Sequence, residues 1–343
     1  MLGDVSAYRE RKLRVLLFGA TGTIGQAALR ALSARGHHVV CFVRPSTAHE
    51  TLQAIAPGAE VREGDVCDPK AVAEVGFSGK PFAAVLSCLA SRTGAPGDAW
   101  TIDHQAHQNI LHAAVEHNAK HMVYLSALCV QKPRLAFQFA KLAFEEALIV
   151  SPLRYSIVRP TAFFKSLSGQ VERVRGGKPF MVFGNGELTA CKPISDRDLA
   201  NYLCDCLVDE DKFNRVLPIG GPGPSLPPRQ QGEALCKALD QEARFQKVPP
   251  GLFKAGAALL QAVAPLFPGC ADRAEFLRIA HYYATESMLV YDPERGGYSE
   301  AATPSYGSDR LETHYQELAK AGGSVDLGDH RLFGKESQPT QRT

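Results

Sequence analysis

An excess of charge of either sign is missing from this sequence: 343 residues carry 38 Lys and Arg against 36 Asp and Glu, a formal net charge of +2. A balance so near zero provides no basic surface for nucleic acid and no polybasic segment for anionic lipid. Paired cysteine motifs are also missing. The nine cysteines, at 41, 67, 88, 129, 191, 204, 206, 236 and 270, are odd in number and include no CxxC pair. Several sit in apolar runs such as VVCFV (39–43), where a cysteine acts as a small buried hydrophobe, so free thiols in a reducing compartment are expected. No apolar run is long enough for a bilayer span. The best, GLFKAGAALLQAVAPLF (251–267), carries Lys254 and Pro265 and falls short of the ~20 residues a span needs. The first eleven residues, MLGDVSAYRER, lack an apolar signal core, and no targeting segment is expected.

What is present is alternation. LRVLLF (13–18) reads as a buried parallel strand, followed by GATGTIG (19–25) and a helical pattern ending near Gly36. Strands over 39–43, 60–62, 83–87, 121–125 and 155–158 alternate with helices near 70–74, 103–117 and 139–148. This spacing predicts an α/β fold, a Rossmann-type doubly wound parallel sheet with a smaller, partly helical substrate lobe. The expected division is a flexible lead over 1–12, a dinucleotide-binding domain over 13–175 to which 194–221 returns, a substrate lobe over 176–193 and 222–330, and a disordered tail over 331–343.

The glycine loop carries the clearest chemistry. Gly19 permits a tight turn, Gly22 lets the backbone approach a pyrophosphate, and Gly25 lets helix and strand pack closely, with Thr21, Thr23 and Ile24 between them. The helix that follows offers its amides and positive dipole to phosphate. Arg44, then Pro45 and Ser46, stand after the second strand where an NAD site carries Asp or Glu, and a guanidinium suits the 2′-phosphate of NADP. Asp65 and Val66 after the third strand, and Ser87, Cys88 and Leu89 after the fourth, are expected around the adenine and ribose, or are ordinary turns.

For proton transfer the sequence offers less. A short-chain dehydrogenase carries Tyr-x-x-x-Lys after a strand ending in Ser. Here Ser126 and Lys141 stand in place and Phe137 replaces the tyrosine. Lys141 is the candidate catalytic residue, as holder of the nicotinamide ribose or as an acid, against a solvated helix lysine. Loss of the tyrosine argues against plain ketone reduction. His104, His107, His112, His117 and His121 spread around a helix and do not converge, so no metal is expected; Cys204-Asp205-Cys206 diverges likewise. Phe163-Phe164 and Tyr282-Tyr283 are read as core pairs or as pocket walls for a flat aromatic ligand.

Six strings together carry a resemblance: SCLASRTG (87–94), AKHMVYLSALCVQKP (119–133), YSIVRPTAFFKSLSGQ (155–170), FGNGELTACKPIS (183–195), LPIGGPG (217–223) and YYATESMLVYDP (282–293). They closely resemble the divinyl chlorophyllide a 8-vinyl-reductases, atypical short-chain dehydrogenases, over about residues 13–315. The resemblance implies NADPH as cofactor, a tetrapyrrole as substrate, reduction of its 8-vinyl group to ethyl, and the retained lysine at Lys141. It names no proton donor and sets no oligomeric state. Core packing is the first reading of 251–267; the resemblance adds a pocket wall or a peripheral membrane contact. A bacterial cytoplasmic enzyme is expected, with the plastid stroma after leader removal as alternative. A non-catalytic NADP-binding sensor or assembly factor, or an aryl-alkene reductase, would use the same fold.

Overall fold

The structure is a computed structural model that describes residues 12–45, 49–267 and 269–322. The lead up to residue 11, the tail 331–343 and Ser46 lie outside the described residues. Strands β1 (Arg14–Phe18), β2 (His38–Val43), β3 (Glu60–Glu63), β4 (Ala84–Ser87), β5 (His121–Leu125), β6 (Arg154–Pro160) and β8 (Arg215–Ile219) form one sheet, ordered β3-β2-β1-β4-β5-β6-β8; β7 (Phe180–Phe183) lies apart. Every pairing in this sheet is parallel. The chain runs outward from β1 to β3, then returns to place β4 on the other side of β1. This reversal is the switch point above which open α/β sheets bind ligands, at the carboxyl ends of their strands.

Alternating residues of β1 serve both faces. Val15 and Leu17 pack with helices α1 (Thr23–Ala34) and, much later in the chain, Asp196–Asp205, while Leu16 and Phe18 pack with α2 (His107–Glu116) and α3 (Ala136–Val150). Both layers are buried, as a parallel sheet covered on two sides requires. The helix expected over 103–117 starts earlier, as a wide-turned π segment, Trp100–Ala106, that runs into α2. Such segments concentrate at functional sites, and this one buries Asp103 completely.

The lobe has its own core. β7 pairs in parallel with β9 (Phe245–Val248), and Phe164, Val171, Val174, Phe180, Val182, Leu235, Cys236, Leu311 and Tyr315 pack as one cluster. Phe164, Val171 and Val174 thus pack with the lobe although they fall within the 13–175 stretch. The core-packing reading of 251–267 is overturned. Within Gly251–Val263 only Ala257 is buried, while Leu252 and Leu259 are 64% and 68% exposed. Among the described residues its close helical neighbour is Gly269–Thr285, which leaves the face with Leu252 and Leu259 uncovered. Among the described residues no helix is long and apolar enough to cross a membrane.

Candidate active site

The glycine loop sits at the switch point. Gly19 adopts φ +78°, and a Cβ there would come within 2.7 Å of the Cys88 and Leu89 backbone, so the loops after β1 and β4 touch. A Cβ on Gly25 would lie 1.9 Å from the Gly19 carbonyl oxygen, whereas one on Gly22 would meet nothing nearer than 3.5 Å. The cradle is therefore closed beneath and open at Gly22, the side from which a pyrophosphate approaches. Gly22 precedes α1 without a capping side chain, and the first turn has no acidic residue, so the helix amides remain available to an anion. The residues present fit a dinucleotide.

Lys141, on α3, is buried and ion-paired. Its Nζ lies 3.0 Å from Asp103 Oδ1, with the two side chains 7% and 0% exposed, and 5.5 Å above the Tyr124 ring. Ser91 donates its hydroxyl to Asp103 Oδ2 at 2.6 Å. Burial alone would lower the ammonium pKa, but the Asp103 carboxylate, then Tyr124, raise it well above its ordinary value. The solvated-lysine reading fails, because the side chain is 7% exposed and ion-paired. The pair with Asp103 fixes one positive charge at this point of the cleft. Ser126, which a short-chain dehydrogenase would use beside its tyrosine, donates to Glu145 at 2.5 Å, and Arg159 pairs with the same carboxylate.

Above these groups opens a cavity of about 1060 Å³, at the top of the ~300–1,000 Å³ usual for ligand sites. Its floor is the loops after β4, β5 and β6, including Cys88, Leu89 and Ser126, with Phe137 and Lys141 from the first turns of α3; its roof is the lobe, with Leu260, Phe276, Leu277 and Tyr283. The walls are mainly apolar, which suits a large flat ligand. Of the aromatic pairs, Phe163 and Tyr283 line the cavity, while Phe164 and Tyr282 are core, Tyr282 donating to the Cys129 and Lys132 carbonyls at 2.9 and 3.0 Å.

The other expected site residues are scattered. Arg44 is exposed just past β2. Asp65 is exposed and its carboxylate accepts from the Cys67 amide at 2.9 Å, closing its own turn. Val66 and Ile24 are side-chain buried, leaving only their backbones to face a ligand. Ser87 is fully buried and 2.9 Å from His107 Nε2, so its hydroxyl supports the fold beneath the cleft and does not face it. His107 Nδ1 lies 2.9 Å from the Ile102 carbonyl, and burial, then Lys141, lower its pKa to about 4. It is a neutral structural imidazole. Asp103 and Ser91 are absent from the sequence-based list because 38 residues separate Asp103 from Lys141; no local spacing signals that pair.

A family model described as NAD(P)H-binding matches residues 19–210. A divinyl chlorophyllide a 8-vinyl-reductase of Oryza sativa subsp. indica is 48% identical over 93% of this chain and 82% of its own length, and that of Arabidopsis thaliana is 46% identical over 93% and 80%; both are named chloroplastic. A photosystem II assembly factor of Cyanophora paradoxa is 26% identical over 69% of this chain and 72% of its own. Among solved structures, an NADPH-dependent quinone oxidoreductase of Escherichia coli complexed with NADPH superposes with a TM-score of 0.64 at 19% identity, over 89% of this chain and 99% of that one, a likeness of fold. With close to half of its residues shared with plant reductases along nearly its whole length, the chain belongs to the divinyl chlorophyllide a 8-vinyl-reductase family.

Proposed function

We propose that the protein reduces the 8-vinyl group of a divinyl chlorophyllide to ethyl, with NADPH as reductant. The observation that carries this reading is the 48% identity with a reductase so named over 93% of the chain. An apolar cavity of about 1060 Å³, lined by Cys88 and Leu89 whose backbone the glycine loop touches, agrees with it. When bound, NADPH supplies the hydride. The residues proposed to hold it are Gly19, Thr21, Gly22, Thr23, Ile24 and Gly25 at the pyrophosphate, the last two through backbone alone, and Arg44 at the 2′-phosphate. Asp65, the Val66 backbone, Cys88 and Leu89 are proposed to flank the adenosine, and Lys141 the nicotinamide ribose.

The chain's own contribution is placement. Lys141, pinned by Asp103, sets one cation at the cavity floor, and the apolar roof excludes water and fixes which edge of a flat ligand faces the cofactor. A vinyl group conjugated to a macrocycle spreads the charge left by hydride addition, so protonation of the inner carbon needs only water or a modest acid. This accounts for a site that works with Phe137 where the tyrosine would stand. The division into a dinucleotide-binding unit and a substrate lobe is proposed with its boundary just after β6, because Phe164 onward packs with the lobe.

A peripheral membrane contact is proposed for the hairpin 251–285. Leu252, Leu259, Leu266 and Phe267 are exposed there beside Lys254, while Leu260 and Leu277 of the same hairpin line the cavity. The chloroplastic relatives support a plastid compartment over the bacterial cytoplasm, a choice that cell fractionation makes. The likeness to an assembly factor, with the lost tyrosine, favours a second reading, a non-catalytic NADP-binding assembly protein. One assay separates the two. Incubation with NADPH and divinyl chlorophyllide is expected to shift the Soret band to the blue, with deuteride from labelled NADPH on the terminal vinyl carbon. An unmoved band despite NADPH binding would give the second reading.

A further inference from the structure

A charge of the wrong sign stands at the start of α1. The helix begins at Thr23 with uncapped amides, no acidic residue in its first turn and the positive end of its dipole directed into the cleft. Lys165, from the segment that follows β6, reaches across and donates from Nζ to Thr23 Oγ1 at 3.0 Å. Lys165 is half-buried. Among the described residues no carboxylate lies within ion-pair distance of it, and the hydroxyl of Thr23 is its only polar partner. A cation held against a helix N-terminus is repelled by it, and every other structural anion that could offset the two positive groups is absent from the first turn.

We propose that Lys165 is a cofactor-binding residue whose ammonium pairs with the pyrophosphate of NADPH, closing over the glycine loop from the side opposite the helix amides. The arrangement then has its missing anion. The diphosphate bridges the α1 amides and the Lys165 ammonium, and the Thr23 hydroxyl holds the lysine in place beforehand. Because Lys165 arrives from the segment linking β6 to the lobe, the same contact couples cofactor binding to the lobe that roofs the cavity. This inference rests on the reading of the loop as a dinucleotide site and adds a residue that no glycine-loop pattern contains.

The test is equilibrium titration with NADPH, followed by nicotinamide fluorescence at low and high salt, for the wild type, Lys165→Met and Lys165→Arg. Lys165→Met is expected to raise Kd about 10- to 100-fold, the loss of one charge-assisted hydrogen bond, and to flatten the salt dependence, while Lys165→Arg recovers most of the affinity. Adenosine 2′-monophosphate, which has the 2′-phosphate and no pyrophosphate, should bind wild type and Lys165→Met alike. The cofactor-free Tm of Lys165→Met should equal or exceed that of the wild type, since a repulsion is removed. An unchanged NADPH Kd, or a lowered cofactor-free Tm with equal weakening of both ligands, would overturn the proposal and reduce Lys165 to a structural bridge. Failure of the wild type to bind NADPH at all would overturn the dinucleotide reading itself.

Discussion

Removing one partner of a buried ion pair leaves the other uncompensated, and Asp103 with Lys141 is such a pair. Lys141→Ala is expected to destabilise the protein by about 3–5 kcal/mol and to abolish turnover; Lys141→Arg keeps the charge and should retain part of both. Urea unfolding beside initial rates checks this, and near-wild-type turnover in both variants would remove the lysine from the mechanism. Gly25 gives a second residue-scale test. A methyl group there meets the Gly19 carbonyl at 1.9 Å, a backbone contact that cannot rotate away, so Gly25→Ala should lose NADPH binding and lower Tm by several degrees. Titration also leaves a residue-level signature. Burial lowers His107 to about 4 and His121 to about 3, from an ordinary 6.5. Between pH 6.5 and 4 the unfolded chain therefore binds protons that both imidazoles refuse, and stability falls as pH falls. Two such groups give a slope approaching roughly 2.7 kcal/mol per pH unit, to be read from urea unfolding at pH 7, 6 and 5. Replacing His121 with Asn should remove its share of that slope.

Elements differed in how openly the sequence declared them. β1, the glycine loop and α1 were legible because a dense apolar run, three spaced glycines and a helical period all agreed over 13–34. β5 matched its expected bounds of 121–125 for the same reason, a short apolar run between turn residues. The helix Gly251–Val263 misled, since apolar character predicts burial only when neighbours exist to supply it, and neighbours are a property of topology. The wide turns of Trp100–Ala106 were invisible as well, because the residue types there suit an ordinary helix equally well. The exposed hairpin yields an element-scale prediction. The double variant Leu252→Glu/Leu259→Glu should keep its Tm within about 1 °C, since neither side chain is buried, yet float less with liposomes that contain anionic lipid than the wild type does. Equal flotation of both would remove the membrane contact.

At the scale of the whole molecule, fold class followed from alternation alone, whereas the site did not. Its floor could be placed from strand ends, but its roof comes from residues 260–288, more than a hundred positions beyond Lys141, and Asp103, Ser91 and Lys165 enter through contacts that only the folded chain creates. The path of the chain has a mechanical meaning too. It leaves the sheet after β6, returns for Asp196–Asp205 and β8, and leaves again toward Pro228, so three separate strands of backbone join sheet to lobe, near 161, 192 and 221. The three lie side by side, the Thr161 amide donating to the Ile219 carbonyl at 2.9 Å and the Gly221 amide to the Lys192 carbonyl at 3.1 Å. Moving the lobe away from the sheet would bend all three bonded crossings together, whereas the hairpin 251–285, with Leu252 and Leu259 exposed on its outer face, can shift for a broad, stiff ligand without disturbing any of them.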